Sequence, residues 1–132
     1  MNVPITGSCL CGGIRYAVSG PIGPIVHCHC TTCRKAHGAA FSSVAAVADA
    51  DFSLSGGELL ERYESSAGKH RHFCSRCGTQ LYAKRDGTQH LILRMGSLDD
   101  HPRSTERSHI WVSQKASWYT IDARLPTFDE AE

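Results

Sequence analysis

The chain lacks any long apolar run. Nothing in it approaches the roughly 18 consecutive apolar residues of a membrane-spanning helix, so no such span is expected. It also lacks a charge excess: 14 basic against 13 acidic side chains leave a formal +1. A near-neutral chain offers neither nucleic acid nor an anionic bilayer a charged face, and neither is expected as a partner. Met1 to Gly7 has no basic stretch followed by an apolar one, so no secretory leader is read there and a reducing, cytoplasmic setting is expected. Repeats, low-complexity tracts and linkers are missing too. The 132 residues suit one domain over 1–132, with its core at about 7–125 and a loose end beyond Leu125. Apolar residues reach only 41%, so a metal staple would help a core of this size.

What is present reads as short strands punctuated by Gly and Pro. Gly12-Gly13 opens the alternating stretch Ile14-Arg15-Tyr16-Ala17-Val18, and Gly20 to Pro24 breaks it. Ile25 to Cys30 resumes extended chain, and Thr31 or Thr32 is placed to cap a short helical turn ending near Gly38. Ala39 to Ala48, Phe52-Ser53-Leu54, Leu59 to Tyr63, His70 to Cys74 and Thr79 to Lys84 follow as extended segments. Asp86-Gly87 marks a hairpin before His90 to Met95. Ile110-Trp111-Val112 reads as a last edge strand and Trp118-Tyr119 as a packing segment. The fold class expected is mainly β, with antiparallel sheets and one short helical turn.

Seven cysteines stand at positions 9, 11, 28, 30, 33, 74 and 77. An odd count without a secretory leader argues against disulfides and for zinc, which thiolates bind in a reducing compartment. In an extended chain residues i and i+2 share a face, so Cys9 and Cys11 can grip one ion from a strand. Cys74-Ser75-Arg76-Cys77-Gly78 has the two-residue gap of a zinc knuckle, with Gly78 free to take the positive φ of such a turn. Two such pairs close a tetrahedron and leave no room for a substrate, which makes that site structural. In Cys28-His29-Cys30-Thr31-Thr32-Cys33 three thiolates can converge and leave a fourth position open, as catalytic zinc requires. A competing division puts Cys9, Cys11, Cys28 and Cys30 on one ion, and spacing leaves it open.

His27 and His29 alternate with the cysteines and therefore face away from the metal, suited to supporting hydrogen bonds or packing. His37 suits the surface or a substrate contact. Lys69-His70-Arg71-His72 reads as a solvated strand face, with contact to an anionic substrate as a second reading. Trp111 and Trp118 read as core anchors.

Three blocks, Gly7-Ser8-Cys9-Leu10-Cys11-Gly12-Gly13-Ile14-Arg15-Tyr16, His27-Cys28-His29-Cys30-Thr31-Thr32-Cys33-Arg34-Lys35 and Phe73-Cys74-Ser75-Arg76-Cys77-Gly78-Thr79, together resemble the glutathione-dependent formaldehyde-activating enzyme family. The likeness runs from about Gly7 to Trp118. It implies a β-tent, antiparallel sheets pinned by zinc, and two zinc ions per chain. The structural ion would fall on Cys9, Cys11, Cys74 and Cys77, and the catalytic ion on Cys28, Cys30 and Cys33. It also implies a carbon–sulfur lyase that joins a small thiol such as glutathione to formaldehyde. A zinc module of the same fold without turnover is the alternative.

Overall fold

Alternating burial builds the strands of this computed structural model, which describes residues 3–122 and 124–132. In chain order they are β1 (Ile5–Ser8), β2 (Arg15–Val18), β3 (Ile25–Cys28), β4 (Ser42–Ala48), β5 (Phe52–Ser55), β6 (Leu60–Ser66), β7 (Lys69–Cys74), β8 (Gln80–Arg85), β9 (His90–Arg94) and β10 (Glu106–Ile110). The helix α1 (Thr31–His37) separates β3 from β4. A mainly β domain with one short helix is therefore what the structure contains.

Two sheets result. The smaller has the order β1-β2-β5; the larger runs β10-β3-β4-β9-β8-β7-β6. All pairs are antiparallel except β10 against β3, which is parallel and makes the larger sheet mixed. The antiparallel sheets expected from the sequence are present, with this one parallel pair added at the edge. β10 reaches β3 from far along the chain rather than through a hairpin, and only such a long return permits a parallel pair.

The core lies where the sheets face each other. Ile5, Tyr16 and Val18 of the smaller sheet pack with Ala45, Val47, Leu81, Leu91 and Leu93 of the larger. Each large aliphatic side chain so buried contributes about 1.5–3 kcal/mol. The Tyr16 hydroxyl keeps a partner there, Ser97 Oγ at 2.7 Å. A Cβ on Gly7 would lie 2.2 Å from the Tyr16 ring, so glycine is the residue that lets β1 carry its neighbour's aromatic side chain.

Strand register then sorts the larger sheet's other face. Directly paired residues in a sheet share a face, as do residues two apart on a strand. Ala45 and Val47 pair with Leu93 and Leu91 on the core side, whereas Val44 pairs with Arg94 and Ala46 with Ile92 on the opposite side. Cys28 pairs with Ser42, Ile92 with Ala83, and Ala83 with Arg71. Cys28, Ser42, Arg94 and Arg71 thus project from one face, the one away from the core.

Two terminal expectations are corrected. The chain beyond Leu125 is tied down: the backbone N–H groups of His109, Trp111 and Val112 donate to the carbonyls of Pro126, Glu130 and Phe128 at 3.0 Å each. Main-chain pairing needs no apolar periodicity, which is why this docking left no pattern in the side chains. Trp118 is 72% exposed and anchors no core, while Trp111 takes a left-handed turn (φ 56°) at the end of β10.

Candidate metal centres

Cys9 and Cys11 lie just after β1, but in a turn rather than on a strand. The Gly12 N–H donates to the Cys9 carbonyl at 3.0 Å, and Gly12 has φ 78°. The turn brings the two sulfurs to 3.5 Å, closer than i, i+2 side chains of an extended strand would come. Cys74 ends β7, and Cys77 follows in a knuckle closed by the Gly78 N–H on the Cys74 carbonyl at 2.8 Å, Gly78 holding φ 81°. All four sulfurs lie within 4.8 Å of one another, with Cys11 and Cys74 at 3.8 Å. Sulfurs bound tetrahedrally at about 2.3 Å would sit about 3.8 Å apart, so this donor set fits zinc. The division of Cys9, Cys11, Cys28 and Cys30 onto one ion does not occur. All seven cysteines are free of disulfides.

The chain prepares two of these sulfurs, Cys11 and Cys77, for ionisation, while burial raises the pKa of Cys74. The Ile14 N–H donates to Cys9 Sγ and the Arg76 Nε–H to Cys11 Sγ, both at 3.3 Å. The Gly13 N–H, and after it Arg76, lower the pKa of Cys11, and Thr79 brings Cys77 down to about 5. Thiolates are the ligands zinc needs.

The second cluster spans a strand–helix junction. Cys28 ends β3, Cys30 is the N-cap of α1, and Cys33 lies in its first turn. Cys30 is extended (φ −62°, ψ 151°), and its sulfur accepts the Cys33 N–H at 3.3 Å. The three sulfurs lie within 4.8 Å of one another, and among the described residues no fourth ligand joins them. Neighbouring thiols dominate the ionisation of Cys28 and Cys33. Cys28 and Cys30, with further help from Ser42 and Arg71, pull the pKa of Cys33 down, and the same crowding raises that of Cys28. A cation among them would overturn that competition and favour all three thiolates.

The histidines stand on other partners. His27 Nδ1 is 2.9 Å from Ser43 Oγ and its Nε2 is 2.5 Å from Glu106. His29 Nε2 meets His109 Nδ1 at 2.8 Å, and burial lowers its pKa to about 4. His37 lies closer to the action. Burial, and after it Arg94, bring its pKa to about 4, and it lines a cavity of about 680 Å³ with Phe41, Ser42 and Arg94. The cavity extends to Cys9 and Leu10; none of the three clustered cysteines lines it, though its lining residue Ser42 pairs with Cys28.

Sequence reasoning passed over Arg94 and gave Arg71 a solvated face first, with contact to an anionic substrate as the second reading. Arg71, expected on a solvated face, is 4% exposed, and its Nη2 lies 3.6 Å from Cys33 Sγ. Arg94 is equally buried. The one available signal was a charged residue in phase with the apolar Ile92 and Ala83, and phase emerges only once strands are paired.

Comparison with known proteins identifies the family. A protein of Halomonas elongata, provisionally named as a glutathione-dependent formaldehyde-activating enzyme, is 33% identical over 130 residues, covering 91% of this chain and 82% of its own. Proteins of Aspergillus flavus and Aspergillus oryzae with the same provisional name are 28% identical over 114 residues, 83% of this chain. The chain spans about half the length of these two, 53%. A crystal structure of a Rhodobacter sphaeroides protein matches with a TM-score of 0.61 at 21% identity, over 76% of this chain and 98% of that one, a likeness of fold. The family model described as "Glutathione-dependent formaldehyde-activating enzyme" matches residues 4–114. With its cysteine blocks, its two sulfur clusters and this match in hand, the chain belongs to the glutathione-dependent formaldehyde-activating enzyme family.

Proposed function

We propose that Cys28, Cys30 and Cys33 hold a catalytic zinc at which a small thiol, glutathione or one like it, is joined to formaldehyde. The reverse direction is carbon–sulfur bond cleavage, and Cys9, Cys11, Cys74 and Cys77 hold a separate structural zinc. One observation carries the reading: three sulfurs converge without a fourth protein ligand among the described residues, while the other cluster has its full four.

Zinc bound there would offer an open position at which a thiol ionises. Three thiolate ligands already donate charge to the ion and blunt its Lewis acidity, which favours thiol capture over polarisation of the aldehyde carbonyl. A free thiol with pKa near 8.5 is about 3% thiolate at pH 7, so full ionisation raises the reactive fraction about 30-fold, near 2 kcal/mol. The sulfur lone pair forms the bond to the aldehyde carbon, the C=O π pair moves to oxygen, and oxygen takes up the proton the thiol released. The product is an S-hydroxymethyl thiol. The cavity beside Ser42 and Arg94 has the volume to seat the body of a tripeptide-sized thiol and hold its sulfur near the aldehyde.

The competing reading is a zinc module without turnover, favoured by the burial of Cys28 and Cys33, neither of which lines the cavity. Mixing zinc-loaded protein with glutathione and formaldehyde at low concentration decides between them. The enzymatic reading expects adduct to form faster than in buffer. No excess over the spontaneous rate, with zinc confirmed at both sites, would establish the module instead.

A further inference from the structure

We propose that Arg71 and Arg94 are specificity residues of the three-cysteine site, making its open metal position selective for an anion over a neutral donor. The inference rests on the reading of that site as an open zinc centre and goes on to name the charge of what it accepts.

Both arginines are 4% exposed, and among the described residues neither belongs to an ion pair with a carboxylate. Arg71 has one polar contact, Nη2 to Cys33 Sγ at 3.6 Å, and its Nε and Nη1 are without partners. Arg94 leaves Nε and Nη2 unpartnered. Buried polar groups are normally satisfied, and a buried charge without a counter-charge is among the most costly features a fold can hold. Guanidinium cannot escape by losing its proton. Something negative must therefore stand beside these two groups in the working protein.

Register shows what that is. Arg71 and Arg94 project from the same face as Cys28 and Ser42, and Arg71 reaches Cys33 directly. Three thiolates around a divalent ion leave one negative charge, against which the two arginines set two positive ones. The half-buried Lys69, at the start of the strand that carries Arg71, adds to the same side. The centre is left short of at least one negative charge. An anionic ligand at the open position supplies it, whereas a neutral ligand leaves the excess buried. Arg94 also lines the 680 Å³ cavity. By this account a thiol is retained as thiolate because the protein's own cations require it, beyond what the metal alone asks.

The test uses the full chain loaded with Co²⁺, whose visible spectrum reports ligands added at a three-thiolate site and needs no turnover. Thiocyanate serves as the anionic probe and imidazole as the neutral one. Arg71→Met and Arg94→Met are each expected to weaken thiocyanate binding by about tenfold or more while imidazole binding stays within about threefold. Arg71→Lys and Arg94→Lys, which keep the charge, are expected to stay within about threefold of the parent for both probes. Should the methionine variants fail to fold, the lysine pair decides: a tenfold loss of thiocyanate there overturns the proposal. Equal weakening of both probes, no change for either, or no cobalt spectrum from the three-cysteine site in the parent chain also overturns it. Absence of formaldehyde turnover with thiocyanate selectivity intact would sink the enzymatic reading and leave this one standing.

Discussion

The sulfur of Cys30 accepts the backbone N–H of Cys33 at 3.3 Å while lying within 4.8 Å of the sulfurs of Cys28 and Cys33. One atom thus caps α1 and belongs to the open metal cluster, so the helix and the site are built together. A helix leaves its first N–H groups without partners, and a side-chain acceptor at the N-cap supplies one of them. Serine can do that as well as cysteine, but it is a poor zinc ligand. Cys30→Ser, compared with the parent after metal is stripped from the three-cysteine site, is expected to unfold within about 0.5 kcal/mol of it, while Cys30→Ala loses about 1 kcal/mol. Bound zinc measured by elemental analysis should fall from two ions to one in both variants. Retention of two ions in Cys30→Ser would rule out the proposed ligand set.

The four-cysteine cluster ties the turn after β1 to the end of β7, two segments far apart in sequence. Metal binding by a site absent from the unfolded chain is folding free energy. Cys74→Ser should therefore cost at least about 3 kcal/mol and broaden or abolish the cooperative thermal transition seen by circular dichroism. A melting curve that matches the parent's would remove the structural role.

Gly7 and Tyr16 sit so close across the β1–β2 pair that an added Cβ would meet ring atoms at 2.2, 2.3 and 2.7 Å. Gly7→Ala must push the ring aside and strain the hydroxyl contact to Ser97. A loss of about 1–3 kcal/mol is expected in urea unfolding. A change below about 0.5 kcal/mol would mean that the ring relocates freely.

Burial pushes the Tyr16 hydroxyl up to about 12, against an ordinary value of 10.0, with Ser97 acting in the opposite direction. Between those two values the unfolded chain has released the proton and the folded chain still holds it. The unfolded state then binds fewer protons, so stability falls as pH rises from about 10 towards 12. Below about 10 both states keep the proton and Tyr16 adds no slope. The expected steepness is at most about 1.4 kcal/mol per pH unit. Tyr16→Phe should flatten that part of the curve relative to the parent, and two parallel curves above pH 10 would contradict the assignment.

Legibility in the sequence followed the range of the interactions involved. The Ile14 to Val18 strand, the turn at Asp86-Gly87 and the knuckle ending at Gly78 could all be read because each rests on neighbours a few residues away. The convergence of the Cys9 and Cys11 sulfurs was legible but their backbone was not, because i, i+2 spacing suits a tight turn as well as a strand. The docked C-terminal segment escaped notice for a different reason. It is held by main-chain groups that every residue carries, so no side-chain pattern marks it.

Local chemistry in the chain itself determined that this is a mainly β protein with seven thiols grouped for metal, since ligand type and short-range spacing are written directly into the residue order. Only the tertiary structure decided which thiols meet, because the partners of Cys9 and Cys11 come from the far end of β7. It likewise decided that Arg71 and Arg94 stand on one face with Cys28. Strand pairing sets which residues share a face, and pairing between distant strands depends on how the whole chain buries its apolar surface, a property no local stretch contains.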